Sequence, residues 1–372
     1  MTTRTATLRK LPIESVNWES LIPAIGRANR ALARYEGIVS ALPNPGLLLS
    51  PLTTREAVLS SKIEGTQASM SDVLRSEAGM EPDRESRKQD IQEIQNYRRA
   101  LQEAERALKK KPFGLNMLRQ LHAVLMKSVR GQHSAAGEFR RIQNWIGPPG
   151  ATMERATYVP PGPDRLMEYL DNWEKYYHSD RPDPLVQLAV VHAQFELIHP
   201  FLDGNGRMGR LVIPLFLAEK GLLSTPMFYL SEWFESHRDE YYKRLQSLSG
   251  DELSWNGWID YFLNAVEGQA TKNVATAQKI LALYENLKGR ILELTRSQWG
   301  VPILDAMFKR PVFTSSSLPL SAPKPTRAGL ANILRALKDA RMIEVMHEGS
   351  GRRPTVFAFA ELINLTEGRK VL

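Results

Sequence analysis

Apolar positions in this chain follow a helical spacing almost throughout, and the breaks in that spacing mark its turns. The densest apolar run, Pro184 to Ile198, reads as a buried helix. Pro200 stops it, because proline cannot donate to the ladder and restricts the residue before it. The run Leu211-Val212-Ile213-Pro214-Leu215-Phe216-Leu217 predicts a second helix, starting at Arg207. Upstream lie an extended arm and helices, interrupted by Leu42-Pro43-Asn44-Pro45-Gly46 and by Ser50-Pro51. A helical stretch runs from Thr53 or Thr54 to about Glu64, closed by Gly65. Residues 87–129 alternate charge with periodic apolar positions, which predicts two surface helices broken at Lys111-Pro112-Phe113-Gly114. Helices fill 164–290. Two places depart from this period. Ile142–Gly147 and Ala156–Val159 read as extended segments around the turn Pro148-Pro149-Gly150, a small β-hairpin. The tail reads as a helix from Val301 to Arg310, a turn at Ser321–Pro325 and a Thr326-capped helix to about Ala340. Two strand-like pieces follow, Met342–Met346 and Thr355–Phe359, joined by Gly349-Ser350-Gly351-Arg352-Arg353.

The chemistry is concentrated between the two apolar helices, in His199-Pro200-Phe201-Leu202-Asp203-Gly204-Asn205-Gly206-Arg207-Met208-Gly209-Arg210. This string holds a histidine that can act as a base and a carboxylate suited to a divalent metal. Gly204 and Gly206 allow a tight turn and close approach of a ligand to the backbone. Arg207 and Arg210 are three apart, so both lean over one side of the helix that follows. A triphosphate site needs that inventory: amide donors, a metal carboxylate and fixed cations. The plain alternative is a helix hairpin carrying two solvated arginines. Gly204 to Gly209 also spells G-x-G-x-x-G, with Glu232 about where a ribose-binding acid would lie. That fingerprint must follow a strand, and here it follows a helix. Glu196-Leu197-Ile198-His199 is an E-x-x-H, but its only counterpart, Glu344-Val345-Met346-His347, sits in a strand-like segment, so a di-iron pair is excluded. His192, with no second ligand at comparable spacing, reads as a core or surface histidine.

Composition changes the picture in three ways. The chain has 372 residues, 42% of them hydrophobic and 24% charged, enough for two or three globular domains. There is no apolar run of about 18 residues and no secretory apolar core behind the basic start, so neither a membrane span nor a signal is expected. Cysteine is absent, which removes disulfides, thiol catalysis and thiolate metal sites, and makes the cytoplasm the simplest compartment. The net charge is +8, and residues 300–372 hold eleven Lys/Arg against six Asp/Glu. That surplus points to a polyanionic partner or to solubility alone.

The string from His199 to Arg210 resembles the active-site motif of the Fic family, HPFx[DE]GNGRxxR, at every specified position. Ser60-Ser61-Lys62-Ile63-Glu64-Gly65 resembles the family's inhibitory motif, [ST]xxxE[GN], and Leu42-Pro43-Asn44-Pro45-Gly46 is also similar to its sequences. Physics adds weight to the second match. An anion at a helix C-terminus is disfavoured by roughly 0.3–1 kcal/mol, so Glu64 calls for a cationic partner. The resemblance implies Arg210. It covers about residues 40–270. The tail, in the order helix, turn, helix and two-stranded ribbon with a basic tip, resembles the winged-helix appendages of many such proteins.

The implied fold is mainly α: a Fic helical core with a small β-hairpin flap, followed by a C-terminal winged-helix domain. The implied divisions are an N-terminal arm and inhibitory region at 1–85, a catalytic domain at 86–290 and the winged-helix-like tail at 300–372. The implied activity is protein adenylyl transfer, from ATP to a Tyr, Ser or Thr hydroxyl. His199 would be the general base, and Asp203 would hold Mg²⁺. Gly204, Asn205 and Gly206 would cradle the phosphates, with Met208 and Gly209 completing the ATP loop. Arg207 would support the β-phosphate and Arg210 the γ-phosphate. Glu64, with Ser60 and Gly65, would inhibit. Tyr242 is similar to an adenine-side residue, and the hairpin near 146–159 resembles the flap that would pair with an extended target segment. Removal of AMP, transfer of another phosphate-containing group, and a DNA-binding regulator with a vestigial loop remain alternatives. Lys replaces Gly206 in the kinase-like branch, which favours nucleotidyl transfer here. Besides ATP and a protein target, the reading leaves open self-modification, a homodimer and DNA bound through the tail; a membrane is not among the partners.

Overall fold

The structure, a computed structural model, describes residues 5–82, 84–127, 135–148, 150–249, 254–351 and 353–371. Along the chain come α1 (Trp18–Ala41), α2 (Pro45–Leu48), α3 (Ser50–Ile63), α4 (Met70–Glu77), α5 (Glu85–Leu108) and α6 (Leu115–Leu125). Next are α7 (Leu166–His178), α8 (Pro184–Ile198), α9 (Asn205–Glu219), α10 (Ser231–Ser236), α11 (Arg238–Ser247) and α12 (Ser254–Thr295). The tail adds α13 (Gly300–Lys309), β1 (Val312–Thr314), α14 (Arg327–Asp339), β2 (Glu344–His347), β3 (Val356–Ala358) and α15 (Ala360–Glu367). The molecule is thus mainly helical. Among the described residues no helix is long and apolar enough to cross a membrane.

Two compact units share the chain: residues 1–36, 59–66 and 95–271 form one, and 37–58, 67–94 and 272–372 the other. Four of their five boundaries fall inside α1, α3, α5 and α12, and the fifth, after Thr66, falls in the loop before α4. In consequence the segment Leu59–Thr66 belongs to the same unit as the loop His199–Arg210.

In the first unit α8 is apolar on every side and is packed on every side, as a helix with no polar stripe must be. Pro184 sits in its first turn, where no amide hydrogen is needed, and Asp183 Oδ1 accepts from the amides of Leu185 and Val186 at 2.9 Å. Trp173 and Trp258 donate their indole N–H groups to carbonyls of α8, each at 2.8 Å. The extended arm is anchored on α7: the Leu8 amide donates to the Tyr169 hydroxyl (3.2 Å) and the Leu11 amide to Asn172 Oδ1 (2.7 Å).

The hairpin expected over 146–159 is present only in reduced form. Among the described residues Ile146 and Tyr158 form an isolated bridge, and Met153–Arg155 coils into a 3-10 turn between them. Pro148, Pro160 and Pro161 have no amide hydrogens to extend a ladder. Pro149 lies outside the described residues.

In the second unit three short antiparallel strands pair in the order β1-β3-β2, with Phe313 opposite Phe357 and Val345 opposite Phe357. The ribbon β2–β3 falls where the sequence suggests strands. β1 and α15 are additions: three residues, all buried, give β1 no alternation to read. α14 is capped by Thr326, whose Oγ1 accepts from the Gly329 amide at 3.1 Å. Arg352, in the expected basic tip, lies outside the described residues.

Candidate active site

α8 ends at Ile198, and the chain turns at His199 with a left-handed backbone, φ 49° and ψ 61°. A side chain other than glycine in that region is strained by about 1–3 kcal/mol and must be held by its surroundings. Arg140 holds it. Its Nε donates to the His199 carbonyl at 2.9 Å, and a terminal nitrogen donates to the Pro161 (2.5 Å) and Ile198 (3.4 Å) carbonyls. Asn144 adds bonds from its amide to the carbonyls of Phe201 (2.8 Å) and His199 (3.4 Å). Arg140 is buried, and burial lowers its pKa to about 10, still far above neutrality.

The imidazole is set as a base. His199 Nδ1 lies 3.2 Å from the Glu196 carbonyl, which can only accept, so Nδ1 carries the proton and Nε2 keeps its lone pair. Burial is the main influence on this ring and lowers its pKa to about 4; the Glu196 carbonyl, Glu64 and Asp203 oppose that shift, and Arg140 adds to it.

Below the turn, His122 stacks on Phe201 with ring centroids 3.7 Å apart and planes within 7°. Its Nδ1 accepts from the Gly137 amide (2.9 Å), which leaves Nε2–H to donate to the Asp203 carbonyl (3.0 Å). Asn205 clamps the loop from the other side: its Oδ1 accepts from the Phe201 amide and its Nδ2 donates to the Phe201 carbonyl, both at 2.8 Å. The Asn205 side chain therefore shapes the loop instead of reaching outward. Gly204, at φ 76°, needs to be glycine twice over, since a Cβ there would also lie 3.0 Å from Met126 Sδ.

No side chain caps the start of α9, and among the described residues the amides of Asn205 and Gly206 have no hydrogen-bond acceptor. Such a helix end favours an anion. Asp203 stands at its mouth with a side chain 49% exposed; Oδ1 accepts from the Gly204 amide at 2.6 Å and lies 3.7 Å from an Arg207 nitrogen. The Arg207 side chain is buried. A lone carboxylate, with no group of three or more metal-binding side chains among the described residues, fits Mg²⁺ carried mainly by a substrate's phosphates. Met208 is fully buried, so its side chain belongs to the core. Gly209 lies against Glu196, whose Oε1 would be 2.1 Å from a Cβ at that position. Burial lifts the Glu196 carboxyl to about 8 against the pull of Arg210, and its Oε1 is buried without a hydrogen-bond partner among the described residues.

The two arginines differ in their partners. Arg210 Nε donates to Ser60 Oγ (2.9 Å), while one terminal nitrogen donates to the Ser60 carbonyl (2.9 Å) and to Glu64 Oε1 (2.6 Å). The inhibitory-type segment and the loop thus meet through residues 146 apart in sequence. Burial alone would raise the Glu64 pKa, but the charge and hydrogen bond of Arg210, with Arg207 and His199 adding, more than offset it and hold the carboxyl below its usual range. Arg210 is likewise held cationic by Glu64, against its own burial. Gly65, at φ 101°, makes the turn after Glu64. Glu64 fits because position 206 has no side chain: a Cβ on Gly206 would be 2.3 Å from Glu64 Oε1.

α10 and α11 grip the same turn from outside. Arg238 donates to the Ile63 carbonyl, and Lys62 pairs with Glu235 at 3.1 Å. Arg238 also lies over the Tyr242 ring, 5.9 Å from its centroid, and Tyr242 is 42% exposed. Its neighbour Tyr241 is buried and shares a 3.0 Å bond with His192 Nε2, while His192 Nδ1 is 3.2 Å from the Gly209 carbonyl. His192 is a satisfied core histidine.

Two family models match the chain: Fic/DOC family N-terminal over residues 22–106 and Fic/DOC family over residues 112–217. Among curated relatives, the protein adenylyltransferase Fic of Drosophila ananassae is 38% identical over 88 residues, covering 23% of this chain and 16% of that protein. The Drosophila melanogaster counterpart is 36% identical over the same length and shares. The chain therefore spans less than a fifth of these relatives. Among solved structures, a Fic family protein from Desulfovibrio desulfuricans G20 aligns with a TM-score of 0.59 at 20% identity, over 94% of this chain and 98% of that one. Fic-1 (residues 134–508) from C. elegans gives 0.53 at 20% identity, over 73% and 79%. Both are likenesses of fold.

Proposed function

We propose, for a chain that belongs to the Fic/DOC family and carries the family's N-terminal region, that AMP passes from ATP to a Tyr, Ser or Thr hydroxyl of a protein and that Glu64 holds this transfer slow. The likeness to proteins named adenylyltransferases supports the reaction class, and the intact loop supports the chemistry. The observation that carries the reading is the 2.6 Å bond between Glu64 and Arg210, beside a histidine with a free basic nitrogen.

In this reading His199 Nε2 takes the hydroxyl proton as the oxygen forms its bond to the α-phosphorus. The bond from that phosphorus to the bridging oxygen breaks, and pyrophosphate leaves. The Asn205 and Gly206 amides, at the uncapped start of α9, and Arg207 stabilise the phosphate charge as it develops. Arg210, once released, takes the γ-phosphate. Asp203 would hold Mg²⁺, which supplies positive charge to the phosphates when bound. The loop 142–147 beside His199 would receive the target segment, and Tyr242 would face the adenine. Support for a winged-helix tail comes from the order α13-β1-α14-β2-β3 and the sheet order β1-β3-β2.

The test is self-labelling with Mg²⁺ and α-labelled ATP. Glu64→Gly should raise AMP incorporation at least tenfold, equivalent to about 1.4 kcal/mol of barrier. Glu64→Gly combined with Arg210→Ala should be inactive, because the freed cation is the one the substrate needs. An unchanged rate in Glu64→Gly sinks the autoinhibited reading. A second reading, removal of AMP from a modified protein, draws on the one-third exposure of the ionised Glu64 side chain, which could orient a water. Release of label from a modified protein, lost in Glu64→Gly, would favour it.

A further inference from the structure

Among the described residues three arginines are buried: Arg140, Arg207 and Arg210. Two of them face a carboxylate, since Arg210 meets Glu64 at 2.6 Å and Arg207 lies 3.7 Å from Asp203. Arg140 differs. Its bonds all go to carbonyls, those of His199, Ile142, Pro161 and Ile198, and it makes no ion pair among the described residues. Carbonyl dipoles orient a guanidinium but cancel none of its charge, and a buried charge without a counter-charge is costly. Nη1 has a single bond, to the Ile142 carbonyl at 3.4 Å, so one of its two hydrogens is unspent.

Arg140 lines an open cavity of about 480 Å³. Phe139, Leu166 and Met167 supply apolar lining, and the exposed Arg119 and Arg141 bring two more cations. The acids there are fewer: Glu138 is bound to Arg141 at 3.2 Å, and Asp164 makes no ion pair among the described residues. Arg119 has no acid either; its Nε donates to the Gly137 carbonyl at 2.9 Å and its guanidinium lies over the Phe139 ring. Three arginines against two carboxylates leave one positive charge uncancelled. Apolar lining beside guanidiniums suits a side chain with an aliphatic stem and an anionic head, as glutamate has.

The cavity and the base share a residue, because Arg140 also donates through Nε to the His199 carbonyl. Asn144 bonds that same carbonyl, and from Arg141 to Asn144 is three residues, at most about 11 Å of chain. The amides of Gln143, Asn144 and Trp145 have no acceptor among the described residues, so an extended segment can pair alongside them. Of the nine large apolar side chains exposed among the described residues, Ile142, Trp145, Ile146 and Met167 fall in this one stretch, which makes it the surface most in need of cover. A residue about three positions from the acceptor hydroxyl would then reach the cavity, at about 3.3 Å per residue.

We propose that this cavity holds a glutamate or aspartate side chain of the protein target, about three residues from the hydroxyl, with Arg119, Arg140 and Arg141 supplying the positive charge around its carboxylate. The identity of the occupant rests on the transferase reading; the preference of the cavity for a carboxylate does not.

The binding probe is a fluorescent 11-residue peptide of Gly and Ala, with a central Tyr, Thr or Ser and Glu at the third position to one side or the other. It is titrated with the full chain, without nucleotide, at about 50 mM salt, where screening is weak. In one of the two directions the Glu peptide should bind about tenfold more tightly than its Gln counterpart, because charge-assisted bonds are the stronger kind. Arg119→Gln with Arg141→Gln should remove most of that ratio, and Arg119→Glu with Arg141→Glu should turn the preference toward a Lys peptide. Both positions are exposed, and thermal melts check that the variants fold. Lys109→Gln with Lys288→Gln, outside the cavity, should keep the ratio. In Glu64→Gly with Mg²⁺ and α-labelled ATP, kcat/KM should show the same preference. An isomer with Glu beside the acceptor, equal in charge, should be labelled as the Gln peptide is. If no peptide is labelled while the binding preference holds, the transferase reading falls and the carboxylate cavity stands. Equal binding of Glu and Gln peptides, a ratio unchanged in the arginine variants, or labelling indifferent to where Glu stands overturns the proposal. Displacement of the Glu peptide by an equal concentration of inorganic phosphate would also overturn it and assign the cavity to free phosphate.

Discussion

At the scale of single residues the proposed chemistry turns on His199, whose ring tautomer follows from one bond to the Glu196 carbonyl. His199→Ala should lower AMP incorporation about 10²–10⁴-fold while leaving ATP binding in place, read by nucleotide titration beside the labelling assay. The pH dependence carries a sign. The ring works as a base when neutral, and burial lowers its pKa to about 4. In the Glu64→Gly background, kcat/KM should therefore stay level from pH 8 to about 5, whereas an ordinary histidine would lose half its neutral form near 6.5. Removing Glu64 takes away a group that raises this pKa, so the plateau extends in the same direction. The reacting string was legible because its groups are contiguous. Arg140 and His122 were not: they hold the loop through bonds across 59 and 81 residues of sequence, and nothing local distinguishes them from a surface arginine and a core histidine.

At the scale of elements, the turn proposed to inhibit is held by more than Glu64. The end of α3 is gripped by Lys62–Glu235 and by Arg238 on the Ile63 carbonyl. With Lys62 exposed and Glu235 largely covered, a pair of this kind contributes about 1 kcal/mol. Lys62→Glu should accordingly raise self-labelling by up to about fivefold, and adding Glu235→Lys should bring it back toward the parental rate. Failure of the second change to restore what the first altered would remove the pair from the latch. Amphipathic helices such as α5 were readable because burial repeats with the helical period, while α8, buried on every side, was readable from its unbroken apolar run and the start signals Asp183 and Pro184. The segment 142–159 was read in the right place but as too long a pairing: only Ile146 and Tyr158 bridge, and Pro148, Pro160 and Pro161 offer no amide hydrogen to extend the ladder. β1 was invisible because its three residues owe their pairing to β3, more than forty positions later.

At the scale of the whole molecule, the proposed inhibition and the proposed nucleotide binding use different groups and should be separable. Glu64 engages the last cation of the loop, while the start of α9 has no side-chain cap, and on the proposed reading that helix start and Arg207 would still receive the phosphates. The parental chain should therefore bind Mg²⁺-ATP and remain slow. At a nucleotide concentration about 100 times the dissociation constant, binding stabilises by about 2.7 kcal/mol, enough to raise Tm by several degrees. The parent and Glu64→Gly should show comparable shifts in thermal melts despite their different labelling rates. A parent with no shift would mean that Glu64 works by exclusion instead. The fit of Glu64 over Gly206 has a consequence for descent as well. A Cβ there would stand 2.3 Å from Glu64 Oε1, the far end of a flexible and one-third exposed side chain, so the carboxylate would have to swing away from its place on Arg210. A side chain gained at 206 would therefore displace the acid from its cation with no change at 64. The two columns of an alignment should then change together, glycine with acid and side chain without it, so that loss of the brake can begin in the loop it restrains.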